Sequence, residues 1–151
     1  MRVTIQRVTS ASLSIDSQVF SEIKQGLVVL LGISPEDSEE DITWLVNKIC
    51  GLRIFSDAEG KMNKSVKDID GEVLLVSQFT LFASTKKGTR PSFTHSAKPD
   101  VAVPLYESFI EALTLNLDSS KVKTGVFGAN MQIALVNDGP VTINIDSRRK
   151  E

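Results

Sequence analysis

The sequence predicts an α+β domain: a mainly antiparallel sheet curled toward a barrel, with two principal helices. Three features predict it. β-Branched residues crowd Arg2 to Ile33 and return from Met131 to Ile145, two intervening stretches carry apolar residues at helical spacing, and strands and helices do not alternate one for one. At 151 residues the chain fits a single domain over residues 1–151, long enough to bury about two-thirds of its unfolded surface.

From Arg2 to Ile33 the chain reads as consecutive antiparallel strands punctuated at Ser10, Asp16-Ser17 and Gln25-Gly26. Val3, Ile5 and Val8 mark the apolar face of the first, with Arg7 either reaching from a sheet edge or serving as a surface charge. Gly26 to Gly32 is short and does not alternate, as suits a strand covered on both faces. A helix follows. Asp37 or Ser38 caps it, Glu39, Glu40 and Asp41 suit its positive end, Ile42, Leu45, Val46 and Ile49 form its stripe, and Gly51 ends it. Cys50 lies near that stripe with no histidine or cationic cluster adjoining it, so it reads as a small buried thiol. The turn-rich Ser56 to Lys61 predicts a hairpin before Met62-Asn63. Gly60-Lys61 lacks the glycine spacing of a phosphate loop, and Met62 stands where a magnesium-binding hydroxyl belongs, which excludes a nucleoside-triphosphate site.

Leu74 to Val76 read as a buried strand entered through Asp70-Gly71. Its exit, Ser77-Gln78-Phe79-Thr80, sets polar side chains into an apolar run, and such groups must find partners or face a cavity. Strand alternation puts Gln78 and Thr80 on one side and Ser77 and Phe79 on the other. Two readings stand: a ligand site at the strand end, or a core strand whose hydroxyls bond neighbouring backbone. Lys86, Lys87 and Arg90 share the irregular loop that follows, as a rim contacting phosphate or as solvated surface.

The second helix is expected from about Val101 or Pro104 to Leu117. Begun at Asp100 it would lose a hydrogen bond at Pro104, which favours a regular start at Val103-Pro104. Two strands, Met131 to Val136 and Val141 to Ile145, close the chain around Asn137-Asp138-Gly139-Pro140. That tetrapeptide reads as a hairpin turn or, more rarely, as a cis Gly-Pro.

A net charge of −2 argues against holding nucleic acid by a global positive field, although local patches remain. No apolar stretch approaches a membrane span, and the opening residues lack the apolar core of a signal peptide, so the cytoplasm is the expected address. One cysteine permits no internal disulfide, and the one histidine, His95, leaves no cluster with zinc-site spacing, so no metal is expected.

Ser77-Gln78-Phe79-Thr80-Leu81 together with Asn137-Asp138-Gly139-Pro140-Val141-Thr142 resembles the paired signature of the D-aminoacyl-tRNA deacylases. The likeness extends to Gln6-Arg7-Val8, Leu52 to Asp57, Gly60-Lys61-Met62-Asn63 and Gly88 to Phe93, in the family's order and spacing. Thr94 to Lys98 and Pro104 depart from it.

The resemblance implies a cytoplasmic homodimer that hydrolyses the ester joining a D-amino acid to the 3′ end of tRNA, without a cofactor. It implies that Ser77, Gln78, Phe79 and Thr80 line a pocket for the terminal adenosine and the ester. Gly139 and Pro140 would reach in from the partner, joined by a cis bond that Arg7 helps to hold. A screen of that kind tests where Cβ points, so L-substrates are excluded and glycyl-tRNA is admitted. Thr80 as nucleophile would need a base, and the chain offers only His95. The favoured scheme stabilises the oxyanion with backbone N–H groups near Phe79 and Thr80, while a ribose hydroxyl of the RNA helps activate water. The rival classes are a non-catalytic RNA-binding module using the basic loop and Phe79, and an esterase with a Thr80 nucleophile.

Overall fold

The first strand, β1 (Arg2–Ile15), is long enough to pair with three others. It turns through Asp16 and Ser17, both at positive φ as a tight two-residue hairpin requires, into β2 (Gln18–Ile23). The predicted break at Ser10 is absent, because β1 runs straight through it and pairs Ser10 with Val136. β3 (Gly26–Gly32) then lies antiparallel to the first half of β1. Val28 and Val29 are both fully buried, on opposite faces, which explains the missing alternation. The computed structural model describes residues 1–150.

Helix α1 (Glu39–Gly51) is capped at Ser38, whose N–H is accepted by the Asp41 carboxylate, as the acidic first turn predicts. The predicted hairpin follows as β4 (Phe55–Ser56) and β5 (Met62–Lys64). The chain then crosses back to β6 (Glu72–Ser77), which pairs with β3 in parallel. Helix α2 (Pro99–Leu117) leads to β7 (Val122–Thr124), parallel to β6, and to β8 (Gln132–Asp146), antiparallel to β1. The two helices and the curled sheet agree with the expected class. The sheet is mixed, however, because the β3–α1–β6 connection is a crossover and β7 was too short to read from its residues. Closure toward a barrel is visible where Ser21 Oγ of β2 donates to the Thr124 carbonyl of β7 at 2.6 Å, joining the two ends of the strand path.

Two expectations fail for identifiable reasons. α2 starts at Pro99, with proline in the first turn, and passes through Pro104. Pro104 and Asp100 are exposed, so the Asp100 carbonyl that loses its N–H partner is left to water. Asn137 to Pro140 does not reverse the chain either. It lies within the continuous β8, at register shifts opposite Gln6, Val8 and Ser10, so the turn-forming residues accommodate a bulge.

Two apolar cores flank the sheet. Val3, Ile5, Leu27, Val29 and Leu75 pack beneath the helices with Leu45, Ile49 and Phe109, while Val8, Leu13, Ile23, Val28, Leu74 and Val76 fill the barrel side. Among the described residues no helix is long and apolar enough to cross a membrane.

A polar cluster ties the chain's two ends together. The Met1 ammonium donates to Asp37 at 2.6 Å and to Ser147 at 2.8 Å, and the Ser147 hydroxyl donates to Asp41 at 2.5 Å. Burial opposes ionisation of Asp41, but hydrogen bonds from Ser147 and Ser38, helped by the ammonium and Arg148, outweigh it and hold its carboxyl below the ordinary value. Asp146 is lowered in the same way, with burial outweighed by the Arg148 N–H and the Arg2 guanidinium. Groups depressed on folding stabilise the native state above their unfolded pKa, near 4, and lose that contribution as pH falls through the folded value. Urea midpoints should therefore hold steady above about pH 4 and decline below it, and Asp41→Asn should flatten the decline.

Candidate active site

At the end of β6 the backbone leaves the sheet. Gln78 N–H donates to the Leu31 carbonyl at 2.7 Å, after which Phe79–Phe82 wind into a short 3-10 helix. Alternation therefore ends at Ser77, and the predicted pairing of Gln78 with Thr80 on one strand face gives way to a helical turn. The turn packs closely on β3, where a Cβ on Gly32 would lie 3.1 Å from the Gln78 carbonyl and 3.1 Å from Leu81 Cβ. The first N–H groups of such a turn have no internal partner. Among the described residues neither the Phe79 nor the Thr80 N–H donates to any group of the chain, whereas Leu81 N–H returns to the Gln78 carbonyl.

Ser77, Gln78 and Phe79 open into a cavity of about 290 Å³. Its opposite wall is Phe127 to Met131, between β7 and β8, and Ser96, Ala97 and Ala102 contribute from the start of α2 and the loop before it. The segment from Phe127 to Met131 was not singled out from the sequence. Its signal was available in Gly125 and Gly128, which bracket an aromatic residue in a loop between strands. Tyr106 of α2 couples the two walls: its hydroxyl donates to the Leu75 carbonyl at 3.2 Å and its ring packs on Phe127 at 5.8 Å. Burial pushes the Tyr106 phenol up to about 12.

Thr80 does not line the cavity. Its hydroxyl accepts from the Gln78 side-chain amide at 2.6 Å. Phe79 is 55% exposed and meets the half-exposed Phe93 edge to face at 5.1 Å. Lys86, Lys87 and Arg90 are exposed on a loop closed by paired backbone bonds between Ser84 and Ser92. His95 faces a different cavity, beside Arg2 and Arg148.

Arg7 differs from both sequence readings, since β1 is interior to the sheet and the side chain is buried. Its Nε donates to the Asp138 carbonyl at 3.0 Å and approaches the Asp138 carboxylate at 3.2 Å, while Nη1 donates to the Ile54 carbonyl. The next peptide bond, Gly139-Pro140, is cis. Gly139 has φ 125°, a conformation that disfavours any side chain, and a Cβ there would press on Arg7 Nη2 at 3.1 Å. Gly139 and Pro140 are exposed and do not line the Ser77 cavity of their own chain, from which β1 and β3 separate them.

The cavity lining contains no titratable side chain. What it offers a ligand is the hydroxyls of Ser77 and Ser96, the amides of Gln78 and Asn130, and aromatic surface from Phe79 and Phe127. The family model described as D-Tyr-tRNA(Tyr) deacylase matches residues 4–146. Proteins named D-aminoacyl-tRNA deacylase from Cytophaga hutchinsonii and Flavobacterium psychrophilum are 59% and 56% identical to this chain, with complete coverage of both sequences in each case. A solved c-Myc DNA Unwinding Element Binding Protein is 43% identical, covers 97% of this chain and 98% of its own, and superposes with a TM-score of 0.92. A solved probable eukaryotic D-amino acid tRNA deacylase shares the fold at 20% identity and a TM-score of 0.81, over 95% of this chain and 98% of its own. The chain belongs to the D-Tyr-tRNA(Tyr) deacylase family.

Cys50 stands apart from this site, packed beneath the helices with its thiol pushed by burial up to about 11. Native protein treated with iodoacetamide at pH 8 should stay unmodified by mass spectrometry, and labelling should appear only on unfolding.

Proposed function

We propose that this chain hydrolyses the ester of D-aminoacyl-tRNA, releasing free D-amino acid and tRNA. The observation that carries the reading is the pair of unspent N–H groups at Phe79, which lines the cavity, and at Thr80, the next residue of the turn, beside a lining that holds no acid or histidine among the described residues. The names of relatives 56% and 59% identical over the whole chain support it.

Water adds to the ester carbonyl carbon, and the resulting oxyanion is held by the Phe79 and Thr80 N–H groups. The neighbouring ribose hydroxyl helps activate the water. The C–O bond to the 3′ oxygen then breaks, and that oxygen takes up a proton as the free amino acid leaves. Ser77 and Gln78 orient the ester. Thr80 acts as a positioning group, because its hydroxyl accepts an amide N–H and has no base beside it to remove its own proton. The terminal adenosine lies between Phe79 and the Phe127 to Met131 wall, and Lys86, Lys87 and Arg90 contact phosphate at the rim.

The working unit in this reading is a homodimer. Gly139 and Pro140, exposed on the edge strand and braced by Arg7 through Asp138, enter the Ser77 cavity of the partner. Their carbonyls accept the substrate ammonium and leave no room for a side chain on the L side. Glycyl-tRNA, having no Cβ, passes the same screen.

Binding of nucleic acid without turnover is a second reading. The exposed Phe79–Phe93 pair beside three cations and the name of the 43% identical DNA-element-binding structure favour it. Incubation with matched D- and L-aminoacyl-tRNA separates the two: the deacylase releases the D-amino acid and spares the L-ester, whereas a binding module releases neither. Thr80→Ala should retain single-turnover hydrolysis within roughly tenfold of wild type, against a loss of several powers of ten for a nucleophile. An acyl-enzyme ester trapped on Thr80 would overturn the water scheme.

A further inference from the structure

A second concave surface begins one residue beyond Thr80. Leu81 lines a groove of about 570 Å³ together with Trp44 and Lys48 of α1, Leu52 just beyond it and the last residues of β8. It is contiguous through Arg2, Asp146 and Arg149 with a cavity of about 330 Å³ that continues to Thr94 and His95, next to the exposed Phe93. The two form one track alongside the segment that carries the candidate site.

The charges along this track are unbalanced in one direction. Among the described residues Asp146 is the only carboxylate lining the groove, and it is bonded to Arg2 at 2.9 Å. In the adjoining cavity Glu36 is paired with Arg148 at 3.1 Å, and the nearby Asp37 with Arg148 and the Met1 ammonium. Lys48, Arg149 and Lys150 are exposed, and no carboxylate pairs with them among the described residues. The Lys48 and Lys150 ammonium groups both lie over the Trp44 ring, at 5.6 and 4.9 Å from its centre. Two cations held near one ring repel each other, and an anion between them relieves that repulsion. On a chain of net charge −2 such a cluster attracts a polyanion locally, where the global field does not.

We propose that this groove, with Trp44 as its floor and Lys48, Arg149 and Lys150 as its cations, binds the phosphodiester backbone of the tRNA acceptor stem as it leaves the Ser77 cavity. The assignment rests on the deacylase reading for the identity of the RNA, and it extends the contact well beyond the terminal nucleotide. Leu81 marks the point at which the strand passes from one site to the other. Phosphate contact also accounts for an aromatic floor without a second ring to sandwich a base, since the ring here serves to hold the two ammonium groups.

Trp44 is the only tryptophan, so its fluorescence reports the groove alone. Titration with uncharged tRNA should change that emission saturably, with an affinity that falls as salt is raised. The Lys48→Gln, Arg149→Gln, Lys150→Gln triple variant should bind tRNA roughly tenfold or more weaker and reduce the log–log salt slope by about two to three. Its loss of kcat/KM on D-aminoacyl-tRNA should exceed any loss on D-aminoacyl-adenosine, which is too short to reach the groove, by about the same factor. Wild-type protein that hydrolyses neither ester defeats the deacylase reading, while the fluorescence and salt measurements still judge the groove. A silent Trp44, or a triple variant with wild-type affinity and slope, overturns the proposal.

Discussion

The pairing of β1 with β8, from Arg2 opposite Asp146 to Ser14 opposite Gln132, is the constraint on which the rest of the molecule hangs. β1 also carries β2 and β3, so a slip of one residue would turn Val3 and Ile5 out of one core and Val8 and Leu13 out of the other. Arg7 sits at the middle of this strand, where the ladder to β8 shifts register. Its guanidinium spans the irregularity and bonds Asp138 on β8 and Ile54 ahead of the small hairpin. A buried cation bonded to two carbonyls and beside a carboxylate is costly to disrupt, because removing one partner leaves charge without compensation. The bulge that exposes Gly139 and Pro140 is thus held from beneath by the strand that organises the whole sheet.

Much of this was legible in the residues, and the failures share a cause. α1, the two hairpins and the buried β3 follow from local signals: a capping pattern, turn residues and an unbroken apolar run. What escaped was set by distant partners. β7 is three residues long and exists because β6 offers it a ladder. Asn137 to Pro140 has the composition of a turn, yet its neighbours on β1 keep it in the sheet. Pro104 looked like a helix boundary, but an exposed carbonyl tolerates the missing donor. At the site, the motif from Ser77 to Thr80 was visible because polar residues interrupt an apolar run, whereas the facing wall from Phe127 to Met131 has a composition common to many loops.

The proposed chemistry of the cavity draws on its backbone more than on its side chains. A 3-10 turn entered directly from a buried strand leaves its first N–H groups without competing partners, and Gly32 lets that turn pack closely on β3. Such donors need no titration and keep their charge distribution at any physiological pH. That suits ester cleavage, where the demand is to hold a developing negative charge rather than to abstract a proton from a poor acid.

Tyr106 is buried and does not itself line the cavity, yet it joins the strand that leads to Ser77 with the loop that carries Phe127. The spacing of the two walls therefore depends in part on a buried side chain of α2 that lies behind the cavity lining. A substitution at this one buried helical position, or at its immediate packing partners, would alter the gap between strand and loop while every residue that lines the cavity stayed the same.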